Sequence, residues 1–154
     1  MGRMYSASIS EVAVSAIQDL WELAAATNVA VVIHGLVIGQ STDYGDAAAE
    51  GLPIQFTRGH TVSGLFGSTV TPTALDPGGA TADTTVEANN TTQATTSGVL
   101  VFADAFNVQA GYQLWFTPET RITIAGGQRL VVELPVAPTD AITVSSTIFF
   151  EEIG

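Results

Sequence analysis

The chain has 154 residues, of which 46% are hydrophobic and 12% are charged, so it is too apolar to be disordered and long enough for one packed core. Fifteen acidic residues against four arginines give a net charge of −11, which disfavours binding to nucleic acid. Because lysine and cysteine are absent, a Schiff base, a P-loop, a disulfide and a thiolate-bound metal are all excluded.

The N-terminal part of the chain alternates between apolar and polar residues. Residues 5–10 place apolar side chains at every second position, which predicts a half-buried strand. Residues 13–26 fit helical spacing as well, but the alternation around them favours two strands, 11–16 and 18–23. Residues 29–38 are apolar on both faces, as expected for a central strand.

An acidic loop follows over residues 41–50. Its carboxylates Asp43, Asp46 and Glu50 could supply hard oxygen ligands to a calcium ion. The spacing lacks the alternating ligands of an EF-hand, so we favour a turn in which Asp43 and Asp46 bind local backbone amides. No metal site is therefore predicted.

A strand over residues 52–57 leads into a long threonine-rich segment, 61–98, with little periodicity. So long an irregular segment is unusual in a compact domain unless it has a function. We interpret it as a loop or arm that packs on a partner, the alternative being a mobile surface loop. The apolar residues expected to contact that partner are Leu65, Phe66, Val70 and Leu75.

Two further alternating runs, 130–136 and 142–151, are rich in β-branched residues and predict strands. About eight short strands separated by Gly, Pro and Asp turns indicate an all-β protein. We expect residues 1–154 to form a single β-sandwich or jelly-roll domain.

Few residues point to catalysis or ligand binding. His34 and His60 are far apart in sequence, and a structural role is favoured over joint metal binding or base catalysis. Asp104 and Glu119 could pair for glycoside hydrolysis only if the fold brought them together. Four aromatic residues could form a platform for a sugar, although core or interface positions are more common for such residues: Trp21, Tyr112, Trp115 and Phe116.

Several stretches together resemble a known family. They begin at Met1 (Met-Gly-Arg-Met-Tyr), Gln18 (Gln-Asp-Leu-Trp-Glu-Leu), Gly39 (Gly-Gln-Ser-Thr-Asp), Val86 (Val-Glu-Ala-Asn-Asn-Thr-Thr), Ala103 (Ala-Asp-Ala-Phe-Asn-Val) and Phe150 (Phe-Glu-Glu-Ile-Gly). The chain resembles small proteins encoded in tailed-phage head modules, and in particular the capsid cement, or decoration, proteins.

The resemblance implies a β-sandwich, jelly-roll or immunoglobulin-like, that is commonly trimeric and lies on the outside of an icosahedral shell with the major capsid protein as its partner. It implies no catalytic residue, cofactor or metal. We therefore expect a non-enzymatic virion protein that stabilises the capsid, with no nucleic-acid or membrane partner. The alternatives are a carbohydrate-binding module and another virion component, from a tail or fibre, on the same fold.

Overall fold

The computed structural model describes residues 2–41, 49–95 and 98–154. Within these ranges the regular secondary structure consists of β-strands. The predicted all-β class is confirmed. The strands are β1 (Arg3–Val14), β2 (Gln18–Ala24), β3 (Ala30–Gln40), β4 (Gly51–Arg58), β5 (Ser68–Val70), β6 (Thr73–Ala74), β7 (Thr85–Asn90), β8 (Val99–Asn107), β9 (Tyr112–Trp115), β10 (Thr123–Ile124), β11 (Arg129–Leu134) and β12 (Ile142–Ile153).

The strands form two antiparallel sheets that pack against each other. Sheet A has the order β10-β3-β12-β1-β6, with β9 also paired to β3, and sheet B has the order β5-β7-β2-β11-β4-β8. When β1, β2, β3, β4, β8, β9, β11 and β12 are numbered one to eight, sheet A contains 6-3-8-1 and sheet B contains 2-7-4-5. This is the double Greek key of a jelly roll, which decides between the two predicted sandwich types.

The long alternating runs form the strands predicted for them. In β12 the even-numbered residues from Ile142 to Phe150 are buried, and the odd-numbered ones face outward. β3 lies between β12 on one side and β9 and β10 on the other, which confirms the central position predicted from its apolar sequence. Tertiary pairing therefore follows the pattern of hydrophobic residues closely in sheet A.

The ambiguous segment 13–26 is strand and not helix. β2 begins at Gln18 as predicted. Residues 11–14 do not form a strand of their own, because β1 continues through them after a bulge at Glu11, where φ is +54°. The bulge returns the apolar residues Val12 and Val14 to the face that packs against the core.

The core lies between the two sheets, and one hydrogen bond joins them through it. Trp21 of β2 is fully buried, and its indole Nε1 donates to Ser146 Oγ of β12 over 2.9 Å. Tyr5 and Phe150, both buried in sheet A, stack with ring centroids 5.6 Å apart. Trp21 thus satisfies its polar group within the core while filling a large volume.

The predicted arm over 61–98 needs correction. This segment is inserted between the fourth and fifth strands of the jelly roll, but it folds back onto the sandwich. β7 pairs with β2 and β5 pairs with β7, which extends sheet B, while β6 pairs with β1 and extends sheet A. We call residues 59–98 the insertion. Most of it covers the sandwich instead of projecting from it.

Replacing each tryptophan by alanine tests this assignment of the core. Trp21→Ala should lower the free energy of unfolding by about 3–5 kcal/mol, because it empties a buried volume and removes the bond to Ser146. Trp115→Ala, at a side chain that is 56% exposed, should cost about 1 kcal/mol or less. Urea unfolding followed by circular dichroism measures both, and equal losses would contradict the assignment.

Candidate functional site

His34 lies in a strand of sheet A and His60 in the loop after β4, and the two have separate partners. His34 Nε2 in β3 is 3.0 Å from Glu151 Oε2 in β12. His60 follows β4, and its Nε2 is 2.7 Å from Thr57 Oγ1 and 3.4 Å from Glu133 Oε1. The structure does not bring the histidines together, and each has a structural partner.

Thr57, His60 and Glu133 contain the residue types of a catalytic triad but not its geometry. In a triad the acid orients the imidazole through the nitrogen opposite the nucleophile. Here the hydroxyl and the carboxylate both contact Nε2, and Thr57 Oγ1 also donates to Glu133. His60 Nδ1 is buried with no hydrogen-bond partner among the described residues. The arrangement does not prepare Thr57 for nucleophilic attack.

The predicted acidic candidates are dispersed. Asp43 and Asp46 lie outside the described residues, while Glu50 accepts hydrogen bonds from the Thr139 amide and hydroxyl at 2.8 and 2.9 Å. Asp104 accepts from Tyr112 Oη, whereas hydrogen bonds to its own backbone amide and to Thr117 lower the pKa of Glu119. Within the described ranges, no group of three or more His, Asp or Glu residues is arranged to hold a metal ion.

The described ranges also contain no helix long and apolar enough to span a membrane.

The outer face of sheet B carries buried carboxylates that the sequence did not indicate. Glu22 of β2 is 2% exposed and forms an ion pair with Arg129 of β11. Its carboxylate also accepts hydrogen bonds from three groups of the insertion: Ser63 Oγ at 2.6 Å, the Gly64 amide at 2.9 Å and Asn90 Nδ2 at 3.2 Å. Glu22 therefore holds the insertion against the sheet.

A second buried acid, Asp19, holds another part of the insertion. Asp19 Oδ2 accepts a hydrogen bond from the Ala94 amide at 2.6 Å. Burial raises the pKa of Asp19 to about 7, and the nearby charges of Glu133 and Glu22 add to the effect. The Ala94 amide acts in the opposite direction, because it stabilises the ionised form. The side chain thus titrates near neutral pH.

The four residues predicted to contact a partner lie in different surroundings. Leu65 and Phe66 are exposed on the outer side of sheet B, where the Leu65 backbone exchanges hydrogen bonds with Thr92. Leu75 is exposed beside β1, and Val70 of β5 is half-buried and packs against the core. Three of the four side chains are thus free to meet a partner, and their role in binding stays a prediction.

Phe66 occupies the least favourable position of the four. Its side chain is 81% exposed, and its backbone has a φ of +65°, in the left-handed region. That region is strained for a bulky residue, and an exposed phenyl ring gains no burial. Nothing within the described chain compensates for either cost.

A second apolar surface lies at the edge of sheet B formed by β8. Val99 and Leu100 are exposed, and the strand has no backbone partner other than β4 within the described residues. Ala105 is opposite Pro53, which has no amide hydrogen to donate across the ladder. The Ala105 amide donates to Asp104 Oδ1. Long apolar edges of this kind pair readily with other chains.

The outer face of sheet A carries the only exposed tryptophan. Trp115 of β9 pairs with Gly35 of β3, and its ring lies 5.2 Å from that of Phe149 in β12. Of the other predicted aromatic residues, Trp21 is fully buried, while Tyr112 and Phe116 pack against the core. The four aromatic residues therefore do not form one platform.

Comparison with known proteins yields little similarity. No family model matches the chain, and no curated protein matches it significantly. Three solved structures of infectious bursal disease virus are aligned over 99% of this chain. They are the T13 viral particle (18% identity, 39% of that chain, TM-score 0.22), the T=1 particle (19%, 40%, 0.13) and the VP2 subviral particle (19%, 40%, 0.11).

This chain thus spans about two-fifths of the length of each viral chain. TM-scores this low carry no argument about the fold or the function.

The pH dependence of stability tests the environment of Asp19. Stability contributed by its protonated form is complete below the unfolded pKa, 3.8, and is lost as the pH rises through about 7. Asp19→Asn removes this titration and can keep the bond from Ala94. The variant's melting temperature, relative to the wild type, should therefore increase by several degrees between pH 4 and pH 8.

Asp140→Asn, at an exposed position, provides the control and should show almost no such change. A difference for Asp19→Asn that stays constant with pH would contradict the assignment.

Proposed function

We propose that this chain is a non-enzymatic structural protein of a phage virion that decorates the outer surface of the capsid. In this proposal it stabilises the shell by bridging subunits of the major capsid protein. The jelly roll is compatible with this role, since the architecture occurs in viral capsid and lectin domains. Because a fold does not determine a function, the support for this role comes from the residues exposed on the surface.

The observation that carries the proposal is Phe66. A glycine would suit its left-handed backbone and a polar residue would suit its exposure, yet a phenylalanine occupies the position. Exposed aromatic side chains commonly become the buried centres of protein interfaces. Strained residues also concentrate at functional sites. A contact outside the chain would compensate both costs.

The insertion presents Phe66 on a fixed base. Glu22 binds the Gly64 amide, and the Leu65 backbone is bonded to Thr92 on both its amide and its carbonyl. A segment already held in place loses little conformational freedom when it binds, so less of the binding free energy is spent on ordering. Many such copies on one shell would add their stabilisation, because each binds the assembled state in preference to separated subunits.

The charge of the chain supports the same location. A net charge of −11 without any lysine suits a surface outside a DNA-filled particle, because it avoids non-specific binding to the genome. The apolar edge of β8 supports association between copies. We therefore include in the proposal a homotrimer, in which the β8 edge of each copy would contact a different surface on the next.

Docking to shells tests the proposal. Undecorated shells of the same phage are mixed with purified protein, and the bound copies and the temperature of genome release are measured. The wild type should bind saturably and raise the release temperature. Phe66→Gly should weaken docking about tenfold or more while changing the free energy of unfolding by about 1 kcal/mol or less.

Ile17→Ser is the matched control, since Ile17 is an exposed apolar residue in the turn between β1 and β2. It should dock like the wild type. Absence of saturable binding by the wild type would overturn the proposed function, and unchanged docking of Phe66→Gly would remove Phe66 from it.

Native mass spectrometry tests the oligomer separately. At micromolar concentration the protein should be a trimer, because the exposed residues of the β8 edge would be buried between copies. Val99→Asp should shift the population toward monomer by placing a charge in that contact. A wild-type protein that is monomeric at this concentration would contradict a preformed trimer.

A further inference from the structure

The outer face of sheet A lies on the opposite side of the sandwich from Phe66. Its side chains differ in chemistry from those around Phe66. Trp115 is 56% exposed, and its ring covers Gly35, which has no side chain. A Cβ at position 35 would overlap the indole ring and lie 2.8 Å from the Leu114 carbonyl oxygen. The glycine thus lets the indole lie close against the sheet, beside Phe149.

The surroundings of this ring carry little net charge and are largely polar, apart from Val37, which lies between Gln113 and Thr147. Gln113 is exposed in the same strand, and the Ser8 and Thr147 hydroxyls form a 2.9 Å hydrogen bond across β1 and β12. One carboxylate lies two residues beyond Phe149 on the same face, that of Glu151. It is bound by His34 Nε2 and by the Gly2 amide, both at 3.0 Å.

An aromatic ring among hydroxyl and amide groups matches one ligand class well. The C–H groups on one face of a pyranose ring pack on the electron-rich face of an indole, while its hydroxyls exchange hydrogen bonds with polar neighbours. A polyanion would be repelled by a chain of net charge −11, and His34 on this face is already paired with the Glu151 carboxylate. A protein interface would favour a more continuous apolar core around the ring.

We infer that the outer face of sheet A is a binding site for neutral oligosaccharides, in which a pyranose ring stacks on Trp115 beside Phe149. Gln113 and the Ser8 and Thr147 hydroxyls lie where they can bind sugar hydroxyls. The inference does not depend on docking to a capsid. If both hold, a copy that docks through Phe66 would present its sugar site to the medium.

The test uses the purified full chain and a panel of immobilised neutral gluco-, manno-, galacto- and N-acetylglucosamine oligosaccharides, with sialylated and uronic-acid oligosaccharides as the charged set. At least one neutral oligosaccharide should bind saturably with a Kd of about 1 mM or tighter. Trp115→Ala should weaken that binding about tenfold or more, and Trp115→Phe should weaken it less. Phe66→Ala should leave it unchanged.

A chemical probe supplies a second readout, because the chain has two tryptophans and Trp21 is fully buried. N-bromosuccinimide should oxidise Trp115 first, and the oligosaccharide that binds should slow this oxidation. Circular dichroism melting of Trp115→Ala verifies that it is folded.

Four outcomes would overturn the inference. They are no neutral ligand at millimolar concentration, preference for the charged set, binding that Trp115→Ala leaves intact, and protection of Trp115 on decorated shells without sugar, which would identify the face as a protein interface. Because Phe66→Gly affects shell docking and Trp115→Ala affects sugar binding, failure of one proposal is distinguishable from failure of the other.

Discussion

The buried carboxylate of Glu22 is the group on which the covering of sheet B depends. An ionised carboxylate loses most of its hydration when it is buried, and this cost is offset only by close charged and hydrogen-bonding partners. Arg129 supplies the charge, and Ser63, Gly64 and Asn90 supply hydrogen bonds from the insertion. Sheet B and the insertion therefore stabilise each other, because Glu22 lacks three hydrogen-bond donors without the insertion, and those donors lack their acceptor without Glu22.

This arrangement divides the sandwich into two surfaces. On sheet B, the polar side chains face inward under the insertion, and apolar side chains such as Leu65 and Phe66 face the solvent. On sheet A, the face is uncovered around Trp115, and hydroxyl groups lie beside the aromatic ring. The inversion on sheet B is the unusual feature, since a loop that covers a sheet ordinarily buries its apolar residues and exposes its polar ones.

Sequence reasoning was most successful where burial is regular. In β12 and β3 the core determines the side-chain pattern, so alternation or a continuous apolar run predicted each strand. It failed for β7, in which only Val86 and Ala88 are apolar and the third buried residue, Asn90, is a polar partner of Glu22. An alternation of only two apolar residues within a threonine-rich segment is too short to distinguish a strand from a loop.

The candidate sites were harder to predict because their members are distant in sequence. Glu22 is visible as an acidic residue within an apolar strand, but only the fold shows that Arg129 forms an ion pair with it and that the Gly64 amide donates a hydrogen bond to it. Trp115 was considered together with three other aromatic residues, and the structure separates it from them by placing it over Gly35. Sequence patterns indicate which residues of a strand lie on the same face, whereas the partners of a residue on neighbouring strands depend on the register of pairing.

The pairing of strands at the base of the insertion determines how easily the insertion could vary in length or sequence. Arg58, the last residue of β4, is directly opposite Val99, the first residue of β8. The insertion therefore leaves and re-enters sheet B at neighbouring positions, where an ordinary jelly roll has only a hairpin turn. A segment whose ends already meet can be lengthened, shortened or exchanged at little cost in loop-closure entropy. The insertion thus enters and leaves the eight-stranded framework at one ladder pair, while β6, β7 and the buried acids hold it against the two sheets.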